Sequence, residues 1–265
     1  MQKIGFIGVG NMGGTLAQVA LEYTKNVIIS SRTLEKAEAF AAAYGGAAVS
    51  NTDLARTADI IFLGVKPQKM QGLFAEIAPV LQARTDRFVL ISMAAGLTTE
   101  QIGQMAGCDC PVLRIMPNTP CLYGKGCIPY CKNTAASAED CRTLEAVLGG
   151  AGWISPLPEE LIDAAGSVSG CGPAFAYLFI EALADGGVAC GLPRATAQTL
   201  GAQMLSGAAE MVLRSGKHPG QLKDEVCSPG GSTIAGVHAL EEGGFRAAAQ
   251  NAVLAACKRN QELGK

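Results

Sequence analysis

The residues best suited to chemistry fall in two clusters, and the first is a glycine turn near the start of the chain. The stretch IGFIGVGNMGG sets Gly8, Gly10 and Gly13 in G-x-G-x-x-G spacing, with Asn11 and Met12 inside the motif. Placed between a strand and a helix, this spacing suits a dinucleotide. Gly8 permits the tight turn, Gly10 lets the backbone approach a pyrophosphate, and Gly13 lets helix and sheet pack closely. Amides at the helix N-terminus then face the phosphates. The alternative is a glycine-rich turn that binds nothing. Further along, VIISSRT puts Ser30, Ser31 and Arg32 at a strand tip where a cofactor with a free ribose 2′-hydroxyl calls for an acidic side chain. Hydroxyls and a guanidinium suit a 2′-phosphate instead, so NADPH is expected over NADH, with NADH still usable. An Arg32 that merely solvates its loop is the alternative.

Three later loops should reach the same crevice, because ligands of open parallel sheets bind beyond the strands' carboxyl ends. GVKPQ offers Val65, Lys66 and Pro67; SMAAG offers Ala94, Ala95 and Gly96; MPNTP offers Pro117, Asn118 and Thr119. Small residues there leave room for a flat nicotinamide ring. Each proline could equally be a rigid turn, and Lys66 a solvated charge.

The second cluster is DEVCSPGGSTIAGVHALEEGG, from Asp224 to Gly244. Ser228-Pro229-Gly230-Gly231 breaks a helical pattern, and Ser232 or Thr233 opens the next helix with its free amides pointing into the break. Such amides suit a carboxylate, and Gly230 and Gly231 allow close approach. An ordinary capped helix start would use the same residue types.

These clusters need elements to hold them. The first half alternates β-rich runs with helical stretches, the pattern of a parallel sheet covered by helices. Strands are predicted at Lys3 to Gly8, Asn26 to Ser30, Ile60 to Gly64, Phe88 to Ser92 and Pro111 to Met116. Helices are predicted at Met12 to Tyr23, Leu34 to Tyr44 and Lys69 to Ala83. Pro156 and Pro158 end this regime and Glu159-Glu160 suit a new helix. The expected organisation is a doubly wound α/β Rossmann domain over residues 1–158 and an all-helical domain over residues 159–265. Helices are predicted in the latter at Pro173 to Ala189, Arg194 to Arg214, Ser232 to Glu242 and Phe245 to Leu263.

From Ala164 to Ala209 the charged side chains are Glu181, Asp185 and Arg194, so two successive helices are apolar nearly all round. The uncharged run from Ala164 to Ile180 reads as the start of a buried helix of a soluble protein, with no membrane span. A domain this small cannot bury both helices alone, so an obligate homodimer with a shared core is expected.

Composition sets the outer limits. At roughly 150 residues per domain, 265 residues allow one large or two modest domains. Hydrophobic residues at 49% and charged residues at 17% exclude disorder. Lys+Arg at 21 against Asp+Glu at 23 leaves a net charge of -2, which gives no general attraction for nucleic acid or an anionic membrane. Small-molecule partners are expected. The 10 cysteines, with no secretory signal at the start, suit a reducing cytosol, where thiols pack as small hydrophobes. Cys108/Cys110 and Cys127/Cys131 form no C-x-x-C pair and have no histidine nearby, so no metal site is expected. His218 and His238 read as packing or solvent-facing residues, Cys171 and Cys227 as packing residues, and Trp153 as core.

The segments GSVSGCGPAFAY, ADGGVACGLPR, HPGQLKDEV and VCSPGGSTIAGVHALE, taken with GFIGVGNMGG, FLGVKP, SMAAG and MPNTP, resemble pyrroline-5-carboxylate reductases in order and over essentially the whole chain. The resemblance implies NAD(P)H-dependent reduction of Δ1-pyrroline-5-carboxylate to L-proline, the last step of proline synthesis. It also implies an intertwined helical dimerisation domain and, in many members, a pentamer of dimers. By motif position, Thr233 would hydrogen-bond the ring nitrogen, and Ser228 with the amides of Ser232 and Thr233 would hold the carboxylate. Asn51 would join Ser31 and Arg32 at the 2′-phosphate. Gly216 and Lys217 stand where some relatives carry an acidic side chain, so no contact to the ring amine is carried over there. Competing readings are a β-hydroxyacid dehydrogenase-like enzyme, which needs a lysine acid that Gly166 to Ile180 lacks, another imine reductase, or a non-enzymatic NADP-binding regulator.

Overall fold

In the first strand alternate side chains go to opposite faces of a sheet, and both faces are apolar. Phe6 lies in one core cluster and Ile7 in the other. Both clusters are dry because helices cover the two faces, which is why the strand reads as a continuous apolar run. The computed structural model describes residues 2–263. In chain order its first elements are β1 (Ile4–Ile7), α1 (Asn11–Tyr23), β2 (Val27–Ser30), α2 (Leu34–Tyr44), β3 (Ala47–Ala48), α3 (Asn51–Thr57), β4 (Ile60–Leu63) and α4 (Pro67–Gln82). These are followed by β5 (Val89–Ser92), α5 (Thr99–Ala106), β6 (Val112–Ile115), β7 (Gly126–Lys132), α6 (Ala138–Leu148), β8 (Gly152–Pro156) and α7 (Glu159–Ser169).

The strands form one 8-stranded sheet in the order β3-β2-β1-β4-β5-β6-β7-β8. All neighbours pair in parallel except β6 with β7. Phe6 of β1 faces Phe62 of β4 in register, and their rings stack at 4.4 Å. The doubly wound sheet and its five predicted strands are therefore present, each trimmed by a residue or two. The predicted pattern lacked β3, β7 and β8. Pro129 sits inside β7 and Pro156 ends β8, and prolines argue against strands when read locally. Trp153, expected in the core, is 57% exposed on β8, the strand at the sheet's edge.

α6 shows how helix starts are fixed here. Ser137 and Asp140 form a capping box, and Arg87 grips both Asp140 oxygens at 2.6 Å. Burial pushes the Asp140 carboxyl up, but the hydrogen bonds from Arg87 and Ser137 outweigh it and hold it down at about 2. A carboxyl depressed in the folded state adds stability above its unfolded value near pH 4, and loses it as pH falls toward 2. Since Arg87 is half exposed, the gain is about 1–2 kcal/mol. Asp140→Asn is therefore expected to lower stability by that amount at pH 7. Urea titrations at pH 7 and pH 2.5 check this, with the gap to the parent closing at the lower pH.

By packing the chain divides into two units. One runs to Cys171 and takes back the segment from Ala256; the other is Gly172–Ala255. The predicted division after Pro158 follows the change from strands to helices. Packing divides the chain later, because α7 lies against β7 in the first unit. Arg114 on β6, fully buried, pairs there with Asp163 and approaches Glu159 at 4.0 Å. Glu159 in turn accepts from the Thr99 amide at 2.7 Å and hydroxyl at 2.8 Å. Asn260 donates to Ser167 at 3.2 Å, which ties the returning C-terminal segment to α7.

The second unit contains α8 (Gly172–Ala189), α9 (Arg194–Ser215), α10 (Pro219–Glu225), α11 (Ser232–Glu242) and the start of α12 (Phe245–Leu263). α8 and α9 pack closely at small residues: a Cβ on Gly187 would lie 3.0 Å from the Ala197 Cβ. Asp185 and Arg194 pair across the turn at 2.5 Å. Much of α8 and α9 remains uncovered within the chain, including Leu178 and Leu213, so the expectation of a buried helix fails for a single copy. By length and composition Glu159–Ala189 could also cross a membrane, with 11% of its most apolar window buried.

Candidate functional site

Strand order reverses between β1 and β4, and the loops leaving their carboxyl ends diverge to leave a cleft of about 940 Å³. Gly8, at the end of β1, has φ +96°, and a Cβ there would lie 2.8 Å from the Gly64 carbonyl oxygen. A Cβ on Gly13 would stand 2.0 Å from the Gly8 oxygen, so α1 can follow β1 only with hydrogen at that position. Gly10 differs, because a Cβ there meets nothing within 4 Å. Gly10 is also the N-cap of α1, where no side chain caps the helix and its first amides are left for a ligand. Asn11 is exposed and Met12 half-buried at that helix start.

Ser31, Arg32, Asn51, Val65 and Lys66 line the cleft with Gly8, which brings together predicted residues from four loops. Lys36, Lys69 and Glu76 line it too, and local motifs did not reveal them. The signal for the last two was helical period: Lys69, Gly72, Leu73 and Glu76 recur at i, i+3, i+4 and i+7 on the face of α4 that walls the cleft. Among the described residues Arg32, Lys36, Lys66 and Lys69 form no ion pair. Four cations without an ion-pair partner, against Glu76 as the one unpaired acid described there, suit phosphates. Asn51 donates through Nδ2 to Glu76 at 2.9 Å, while its Oδ1 is buried with no partner. That orphaned acceptor, the glycine cradle and the cations fit a dinucleotide.

The other predicted residues lie outside this cleft. Pro67 is the first residue of α4, whose N-cap Lys66 makes no side-chain cap. Ala94 is buried after β5, Ala95 packs near Met116, and Gly96 turns the chain at φ +77°. Asn118 is buried and holds the protein's own backbone: Nδ2 donates to the Ser169 carbonyl and Oδ1 accepts from the Cys127 amide, each at 2.9 Å. These two bonds satisfy the part-buried carbonyl and amide it bridges.

The second cluster lies within the helical unit. Gly230 turns the chain at φ +69°, the Gly231 amide donates to the Ser228 carbonyl at 3.1 Å, and Ser232 is the first residue of α11. The N-cap is Gly231, and no side chain caps the helix. The capped start that the sequence also allowed is therefore absent, since neither Ser232 nor Thr233 occupies the capping position. A Cβ on Gly231 would sit 2.4 Å from Ser228 Oγ, so glycine at 231 lets this hydroxyl hold its position beside the helix start. Ser228 and Thr233 are exposed and Ser232 lies beside them. Hydroxyls next to uncapped amides can receive a carboxylate and a ring nitrogen. His218 caps α10 by accepting from the Gly220 amide at 3.1 Å, and His238 is exposed beside Glu242.

A glycine turn at the reversal of a doubly wound sheet, followed in the chain by a helical unit with its own anion-ready helix start, defines a Rossmann-type oxidoreductase. Comparison narrows the class. Residues 159–263 match the family model for pyrroline-5-carboxylate reductase dimerisation, and residues 3–96 match NADP oxidoreductase, coenzyme F420-dependent. The pyrroline-5-carboxylate reductase of Glycine max is 41% identical over 98% of this chain and 95% of its own length. Among solved structures, pyrroline carboxylate reductase of Plasmodium falciparum with NADP bound superposes with a TM-score of 0.89 at 35% identity, covering 100% of this chain and 98% of that one. The 1-pyrroline-5-carboxylate reductase of Streptococcus pyogenes gives 0.89 at 32% identity, covering 98% of each. The chain belongs to the pyrroline-5-carboxylate reductase family.

Proposed function

We propose that this chain reduces Δ1-pyrroline-5-carboxylate to L-proline with NAD(P)H, the last step of proline biosynthesis. The observation that carries the reading is the α11 start: free amides behind an N-cap glycine, flanked by Ser228, Ser232 and Thr233. It supplies what a small cyclic imino acid needs, namely donors for a carboxylate and a hydroxyl for a ring nitrogen. Bound NAD(P)H supplies the hydride that adds to the imine carbon, and a proton is taken up at nitrogen as the C=N bond becomes a C–N single bond. Gly8, Gly10 and Gly13 with the α1 amides hold the pyrophosphate, and Ser31 and Arg32 the 2′-phosphate. The amides of Ser232 and Thr233, with Ser228, orient the carboxylate, and Thr233 Oγ1 bonds the ring nitrogen. No strong base is needed, since the imine is an electrophile once protonated.

Residues 1–158 then serve the cofactor, and residues 159–265 the substrate and dimerisation. The uncovered apolar faces of α8 and α9 support a homodimer in which a second copy covers them. Assembly as a pentamer of dimers and residence in the cytosol complete the reading, with no nucleic-acid or membrane partner. Adding Δ1-pyrroline-5-carboxylate to enzyme and NADPH tests it: no loss of dihydronicotinamide absorbance would leave only a nucleotide-binding regulator. Thr233→Ala is expected to lower kcat at least about tenfold with little change in NADPH affinity, and an unchanged kcat removes Thr233 from the reaction.

A further inference from the structure

Gly72 lies well inside α4, more than a turn from either end. Glycine there costs the helix roughly a fivefold shift in its folding equilibrium relative to alanine, because the backbone gives up more freedom. Something should offset that cost. At Gly13 the offset is close packing, whereas a Cβ on Gly72 would meet nothing within 4 Å. Backbone conformation supplies no reason either, since Gly72 has no positive φ. Gly72 is exposed, and it lines the cleft of about 940 Å³ with Lys69 one turn before it and Glu76 one turn after. Positions 69, 72, 73 and 76 share one helix face, so a side chain at 72 would project from that wall between Lys69 and Glu76.

Ser31, Arg32 and Lys36 reach the same cleft from the β2 and α2 segment, and β2 and β4 flank β1 on opposite sides, so α4 forms the facing wall. The two walls differ in chemistry. Hydroxyls and cations on the first suit a phosphate, but amides inside a helix are occupied by its own i→i−4 bonds and offer a phosphate no donor. Gly72 and the buried Leu73 present a bare, apolar surface instead. That suits the face of an aromatic base. We propose, resting on the dinucleotide reading of this cleft, that Gly72 is a cofactor-contacting residue: it leaves the α4 wall bare so that the adenine base lies against the helix.

Two substitutions separate the stability of this wall from its clearance. Gly72→Ala is expected to raise the melting temperature by about 3 °C and to weaken NADP⁺ binding about threefold. Gly72→Ile carries a branched side chain that keeps one rotamer in a helix and cannot swing aside. It is expected to weaken NADP⁺ binding at least about tenfold, with no loss of melting temperature. Calorimetric titration of the full chain with NADP⁺ and with 2′,5′-ADP, which keeps the adenine end and lacks the nicotinamide, should show both affinities falling together. Ala75→Ile, at an exposed α4 position outside the cleft lining, should leave both unchanged. A Gly72→Ile variant that binds 2′,5′-ADP as tightly as the parent overturns the inference alone. An equal loss in Ala75→Ile also overturns it, since the helix and not the cleft would then be the cause. So does a Gly72→Ala variant no more stable than the parent, because the chain itself would then account for the glycine. If the parent binds neither ligand, the reading of the cleft fails first, and this inference with it.

Discussion

Gly13→Ala is expected to lower the melting temperature by about 10 °C and to abolish dinucleotide binding. A helix gains roughly 1 kcal/mol when alanine replaces glycine, and Gly13 lies inside α1, so propensity alone predicts stabilisation. The clash decides otherwise. The new Cβ would sit 2.0 Å from the Gly8 oxygen, a backbone atom that no rotamer can move aside. The Gly8 amide is itself tied to the Ser30 carbonyl at 2.8 Å, and Gly64 leaves no slack beyond, since a Cβ on it would lie 2.4 Å from the same Gly8 oxygen. α1 must therefore lift off the sheet, loosening Leu16, Ala17 and Ala20, all of them fully buried. Overpacking of this kind costs about 3 kcal/mol or more, which in a unit of this size corresponds to about 10 °C. Gly10→Ala separates stability from binding. With open space around it and φ at −73°, it should melt within about 1 °C of the parent. Its methyl group would nevertheless stand where the pyrophosphate approaches, and affinity should fall at least about tenfold. Scanning calorimetry with NADP⁺ titration distinguishes the two, and a normally stable Gly13→Ala that binds NADP⁺ would refute the packing argument.

The second large effect is expected at Arg114. Arg114→Met should destabilise the first unit by about 3 kcal/mol, the low end for breaking a buried ion pair. The low end applies because Asp163 and Glu159 are a quarter to a third exposed and water relieves part of their loss. Methionine fills much of the volume, so the cost is electrostatic more than steric. Adding Asp163→Asn removes the stranded charge and should recover about 1–2 kcal/mol. α7 is the helix by which the chain leaves the sheet, and Arg114 anchors it. Denaturant unfolding of both variants checks the coupling, and simple additivity of the two substitutions would show that Asp163 is not the partner that matters.

The elements that held up best are those whose signals are local. β1, β2, β4, β5 and β6 are short apolar runs between turn residues, and α2, α11 and α12 match their expected limits to the residue. α5 and α6 escaped notice although both carry capping boxes, Thr98 with Gln101 and Ser137 with Asp140. β7 and β8 were hidden by their prolines, since the sheet's environment supplies the stability that local preference withholds.

At the candidate site the same line divides what was legible from what was not. Gly8, Gly10 and Gly13 were readable because a tight turn between strand and helix constrains the residues that make it, and their spacing carries that constraint. Ser31, Arg32 and Lys66 were readable as loop residues at strand ends, and Ser228 to Thr233 as a break before a helix. Gly64 and Glu76, by contrast, acquire their roles only where β4 and α4 are brought beside β1 and α3, contacts between segments far apart in the chain. Asn118 shows the converse, a residue whose sequence neighbours point to a ligand while its hydrogen bonds go to Ser169 and Cys127. The amino-acid order by itself determined the doubly wound sheet, the helical second half and the two clusters, because periodicity, glycine freedom and helix starts act over a few residues. Which side chains face one cleft, and with which atom, was decided only by tertiary packing, since a hydrogen-bonding group takes its partner from whatever the fold sets beside it.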